Sequence, residues 1–181
     1  IRNIFANRRI TNMAELRGLK VRVQGAPIWS RTFQAAGMAP SVIAYNEIYN
    51  GIQNNVIEAG ENEAAGVEAM RFFEVAPNLI MTEHAITIRP ICFSSQTLSR
   101  LPPALQEAVK RAGREAGAFG REAESSEDGQ KLAALESAGR LRRIAFTDRA
   151  ALKRAVDPVM EAYAKEVGAE SIFARINALT S

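Results

Sequence analysis

The alternating run Leu19-Lys20-Val21-Arg22-Val23 sets a guanidinium near the end of a strand, the position from which an open α/β sheet meets an anion. A second short run, Ser41 to Tyr45, ends on an aromatic ring, and a third leads through Gly60 to Glu61-Asn62. Brought to one cleft, these residues would supply a charged fork for a carboxylate, an aromatic wall and an amide that both donates and accepts. That set grips a hydroxylated acid; it does not cleave one. The competing reading makes Arg22 a surface strand residue paired with a nearby glutamate, and the pattern alone leaves both open.

Catalytic machinery is sparse. His84 is the single histidine, and there is no GxSxG, HExxH, Walker or helix-opening GxGxxG pattern. His84 and Glu83 could in principle form an acid/base pair, but neighbours on an extended segment point to opposite faces. An enzyme built on His84 and Glu61 is the catalytic alternative, and the paucity of motifs disfavours it. The single cysteine, Cys92, excludes an internal disulfide and any CxxC motif, so neither a metal nor a cofactor is expected. Its place in the apolar run Ile88 to Phe93 predicts a buried, inert thiol.

Bulk properties narrow the partners. The 181 residues carry 23 basic and 20 acidic side chains, interleaved along the chain, with 47% hydrophobic content. The isoelectric point near 9.3 admits a nucleic-acid binder, yet the Arg140, Arg142, Arg143 cluster has no interleaved aromatic platform. No apolar run approaches the roughly 20 residues needed to span a bilayer.

Strands alternate with helical patterns, which defines an α/β fold. Leu19–Val23 reads as a strand, Pro27 opens a helix that Gly37 stops, and Ser41–Tyr45 is a second strand with Asn46 capping the next helix. A strand is expected over Val56–Ala59, others over Leu79–Thr82 and Ile86–Ser94, the last buried on both faces despite Pro90. Pro102-Pro103 open the strongest helical pattern, continuing to about Leu135. Gly139 ends it, Leu141–Phe146 returns as a strand, and Thr147 with Asp148 caps a last helix. A helix of that length suggests an element crossing between two lobes.

Taken in order, Leu16-Arg17-Gly18-Leu19-Lys20-Val21-Arg22-Val23, Gly37-Met38-Ala39-Pro40, Tyr45-Asn46-Glu47-Ile48-Tyr49, Gly60-Glu61-Asn62, Phe73-Glu74-Val75 and Thr82-Glu83-His84 resemble the periplasmic binding subunits of TRAP transporters. Each fragment is weak alone, but together, over residues 2 to about 110, they are specific. The resemblance implies a two-lobe periplasmic-binding-protein fold without enzymatic activity. Its periplasmic carrier would present a small organic acid to a membrane permease, acting as a monomer with no nucleic-acid partner. A ligand-sensing module of the same fold is the alternative.

By this resemblance Arg22 matches the arginine that salt-bridges the substrate carboxylate, and Arg2 a second arginine that contacts the acid in several members. Asn62 of the Glu61-Asn62 pair matches a ligand-binding amide, Tyr45 an aromatic packed on the ligand, and His84 a position near the hinge. Residues 1–87 and 128–181 would form the C-terminal lobe and 88–127 would join the other, whose first part would precede Ile1. Apolar surface facing that lobe should then be exposed. Glu63 departs from the family pattern, which has proline after the Glu-Asn pair; Ala59 replaces a common aspartate, and Glu15-Leu16 the usual Asp-Leu.

Overall fold

The computed structural model describes residues 1–179. Six strands make one sheet: β1 (Arg2–Ala6), β2 (Lys20–Val23), β3 (Ala39–Val42), β4 (Ala59–Asn62), β5 (Asn78–Ala85) and β6 (Arg142–Ala145), in the order β3-β2-β4-β1-β5-β6. β1 pairs antiparallel with both β4 and β5, whereas β2 runs parallel to β3 and β4, and β5 to β6. One reversed strand therefore sits inside an otherwise parallel sheet. Its N-terminal end, at Arg2, lies on the same edge as the carboxyl ends of β2 and β4, where open sheets bind ligands.

Helices α1 (Met13–Leu16), α2 (Pro27–Ala35), α3 (Ile48–Gln53), α4 (Ala64–Ala69), α5 (Ser95–Ser99), α6 (Pro103–Ser137), α7 (Arg149–Glu166) and α8 (Glu170–Ala178) complete the fold. Alternation along β1 divides the core: Ile4 and Ala6 join Val21, Val23, Phe33 and Leu152 on one face, and Phe5 joins Ile48, Val67, Phe72 and Leu135 on the other. Phe5 and Phe72 stack with ring centroids 4.9 Å apart. Both faces of the sheet are thus covered, which is why β1, though only five residues long, is buried along its whole length.

Gly60 lies inside β4 because the Phe5 ring lies against it; a Cβ there would stand 2.5 Å from Phe5 Cζ. Expected as a break, it is instead a contact point, so the strand expected over Val56–Ala59 runs from Ala59 through Asn62. Similarly, β3 ends at Val42, and Tyr45 opens a short 3₁₀ turn, Tyr45–Glu47. Asn46 is no cap: it lies within that turn, which has no side-chain cap bond. Asp148 also fails to cap its own helix, because its carboxylate accepts from the Met13 backbone N–H at 3.0 Å.

The largest correction concerns Ile86–Ser94. No strand forms there; the segment has no regular structure, with Ile88 86% exposed, and Cys92 is exposed too. The predicted buried thiol and doubly covered strand are both overturned. Apolar composition without a strand to pair with leaves the backbone with no ladder, and Pro90 removes a donor.

α6 is continuous over 35 residues, roughly 50 Å at 1.5 Å per residue. Only Leu132 and Leu135, near its end, are buried. Among the described residues none from 83 to 131 is buried. Ile86, Ile88, Ile91, Phe93 and Phe119 stay exposed on this stretch.

Candidate functional site

Arg22 lies on β2 with Val21 and Val23 turned to the opposite face, and its residue surface is only 6% exposed. Its Nε donates to the Ile43 carbonyl at 2.8 Å, which aims the guanidinium. The four N–H groups of its terminal nitrogens have no hydrogen-bond partner among the described residues. The glutamate pairing left open by the sequence pattern does not form. Burial works against the Arg22 charge and lowers its pKa, opposed by the field of Glu61. A guanidinium still remains charged at physiological pH.

Tyr45 and Asn62 complete this corner. The Arg22 guanidinium lies 5.7 Å from the Tyr45 ring centroid, and the Asn62 amide donates to the Tyr45 hydroxyl at 2.7 Å. Asn62 Oδ1 accepts from the Glu63 N–H at 3.0 Å, so the amide is held at both ends. Gly66 makes this possible: a Cβ there would fall within 2.3 Å of Asn62 Nδ2.

Behind the fork lies a second, charged cluster. Arg2 and Glu61 form a buried ion pair, with Arg2 Nη2 donating to Glu61 Oε1 at 2.8 Å and to the Glu61 carbonyl at 3.0 Å. Arg2 Nη1 donates to Glu63 at 2.7 Å and to Thr87 Oγ1 at 3.3 Å. Its guanidinium also sits 5.8 Å over the Trp29 ring. His84 Nε2 stands 3.5 Å from Glu61, an ion-pair contact when the ring is protonated but long for a hydrogen bond; its Nδ1 lies 2.8 Å from Thr82 Oγ1. Gln24 adds a weak amide contact to Glu61 at 3.4 Å.

Burial pushes the Glu61 carboxyl up, but His84 and Arg2 outweigh it and hold the group below the usual carboxylate range. Glu63 is likewise held low: burial opposes, and its own backbone N–H with Arg2 and Arg89 prevails. Burial also works against the Arg2 charge, yet the bond to Glu61 and the fields of both carboxylates raise its pKa.

All six residues singled out from the sequence, Arg22, Arg2, Asn62, Tyr45, Glu61 and His84, meet at this edge. Two of them differ in role from the expectation. Glu61 has a fully enclosed side chain and Arg2 spends its donors on protein, so neither presents a free polar group to a ligand. Glu83 and His84 form no acid/base pair, since Glu83 turns away to Arg149 at 2.6 Å. The sequence reading missed Gln24, Trp29 and the reach of Glu63. Glu63 was legible only as a departure from a family pattern, and Trp29 lies in the first turn of α2, its ring under the Arg2 guanidinium.

Two hollows flank the edge. One of 360 Å³ lies between α2 and α7, walled by Trp29, Phe33, Met38 and Val156 with His84 at one side. The other, of 1220 Å³, separates the end of β5 and residues 86–91 from α6. Neither is walled by Arg22, Tyr45 or Asn62. No grouping of His, Cys, Asp and Glu among the described residues could hold a metal ion.

An aimed guanidinium, an amide and an aromatic ring thus stand together at the carboxyl edge of a mixed sheet. Over residues 1–166 the sequence matches the DctP model of bacterial extracellular solute-binding proteins, family 7, and the chain belongs to that family. A solved TRAP periplasmic solute-binding protein from Sulfitobacter sp. NAS-14.1, with bound α-D-taluronate, is 48% identical and superposes with a TM-score of 0.93, covering 97% of this chain and 57% of that one. The protein from Pseudomonas putida F1 with bound D-glucuronate is 27% identical with a TM-score of 0.90, covering 99% and 57%. The C4-dicarboxylate-binding periplasmic protein DctP of Vibrio cholerae is 29% identical over 180 residues, 98% of this chain and 54% of its own length. The chain thus spans a little over half the length of these relatives. No helix among the described residues is long and apolar enough to cross a membrane.

Proposed function

We propose that the protein containing this chain is the periplasmic carrier of a TRAP transporter and that it captures a hexuronate through the Arg22 fork. The observation that carries this reading is a buried, aimed guanidinium with four unclaimed N–H groups beside Tyr45 and the doubly held Asn62. A carboxylate accepts two parallel N–H bonds from such a fork, while the amide and phenol suit sugar hydroxyls. The uronates bound by the Sulfitobacter and Pseudomonas relatives supply the substrate class.

Capture proceeds by closure of two lobes over the acid, which removes water and strengthens the ion pair. Residues 1–87 and 128–179 form the lobe that carries Arg22, residues 180 and 181 of the expected span lying outside the described residues, and 88–127 extend into the other. The unburied stretch 83–131 and its exposed Ile86, Ile88, Ile91, Phe93 and Phe119 support that division. The loaded carrier, a monomer, then docks on the membrane permease; it performs no reaction on the acid.

A thermal-shift screen of the full-length protein against carboxylic acids and neutral sugars tests the reading. Hexuronates should raise the melting temperature in a concentration-dependent way, because a ligand that binds only the folded state stabilises it. Neutral hexoses should not. A screen in which no acid shifts the transition would contradict the proposal.

A further inference from the structure

Arg2 is saturated. A guanidinium has five N–H donors, and all five are taken: Nε and both Nη2 hydrogens by Glu61, and the two Nη1 hydrogens by Glu63 and Thr87. Glu63 is itself fixed, because Thr87 donates to it at 3.1 Å and its other oxygen pairs with Arg89, which bonds Glu124 at 2.5 Å. Two buried guanidiniums, Arg2 and Arg22, therefore face two buried carboxylates, Glu61 and Glu63. Of these two buried guanidiniums only Arg22 retains N–H groups for an incoming acid.

We propose that Glu63 makes this protein selective for acids with a single carboxylate, by occupying Arg2 and placing a second fixed negative charge beside the cleft. The inference rests on the carboxylate-capture reading and narrows it. One carboxylate docks on Arg22 and is paired; a second, at the other end of the molecule, finds Arg2 already occupied and meets the carboxylates of Glu61 and Glu63. An unpaired charge in a closing, dehydrating cleft is strongly disfavoured.

Calorimetric titration of the full-length protein with D-glucuronate and with D-glucarate, the six-carbon acid carboxylated at both ends, tests this. The wild type should bind the monoacid at least about ten-fold more tightly, as expected when one close charge pair lacks a partner. Glu63→Gln should shrink that ratio several-fold, whereas Glu63→Asp, which keeps the charge, should preserve it. A ratio is insensitive to general loss of fold. Comparable affinities for both acids in the wild type, or an unchanged ratio in Glu63→Gln, would overturn the inference alone. No binding of either acid, or of D-taluronate, would overturn the capture reading and the inference with it.

Discussion

Glu61 shows how a residue can govern a site without touching what the site binds. Its carboxylate is enclosed and holds Arg2, so Glu61→Gln leaves the buried guanidinium with Glu63 as its one carboxylate partner; the expected loss is about 1.5–3 kcal/mol of folding stability, read by denaturant unfolding. Because the folded carboxyl titrates below its ordinary value, Glu61 contributes stability above the normal glutamate pKa of about 4.3, and the contribution disappears as pH falls through the folded value. Unfolding free energy should thus decline below about pH 5, and the decline should be shallower in Glu61→Gln. A parallel profile in both proteins would contradict this assignment. Gly66→Ala should act on the amide instead: the added Cβ displaces Asn62 from Tyr45, and ligand affinity should fall by about 1–2 kcal/mol, the loss of one or two hydrogen bonds.

Much of the site was legible at this scale because strand-end polar residues are few and of distinct chemistry. Arg22, Tyr45 and Asn62 come together in space as their positions on consecutive runs implied. What stayed hidden was pairing. Nothing in the sequence pattern says that Arg2, on a strand buried throughout, lies beside Glu61 and Glu63, since that depends on the antiparallel register Asn3↔Asn62 and Ile4↔Glu61.

Elements were read by their apolar periodicity, and the misreadings share one cause. β1 has all five residues buried and so lacks the alternation that marks a strand, while Ile86–Ser94 has strand composition and nothing to pair with. Propensity describes what a segment can become; neighbours decide. α8 carries Ile172 and Ile176 exposed one turn apart, and the apolar pattern of the chain does not single it out. Gly60 reads as punctuation in the sequence, although its lack of a side chain serves the Phe5 ring. Gly60→Ala should push that ring off its stack with Phe72 and cost about 1–3 kcal/mol as an overpacked core site, measured as a lower denaturation midpoint. An unchanged midpoint would show that the β1–β4 contact tolerates a methyl group.

At the scale of the molecule, the long helix and the unburied stretch 83–131 are the features that the two-lobe account must explain. Helical backbone with four glycines that have open space around their Cβ positions gains little from propensity, so it requires packing to be stable. In the full-length protein, amide exchange across residues 103–131 should be slow, and slower again when a uronate is bound. Exchange at the rate of an exposed helix, with or without ligand, would contradict the crossing-helix arrangement.

The most direct measurement is a calorimetric titration of the full-length protein and its Arg22→Ala variant with a hexuronate such as D-taluronate. Removal of the fork should weaken binding by about 3 kcal/mol or more, over a hundred-fold, because a dehydrated carboxylate then loses the guanidinium that pairs it. Arg22→Lys should recover only part of the loss, since an ammonium cannot form two parallel bonds. Undiminished affinity in Arg22→Ala would contradict the account at its centre.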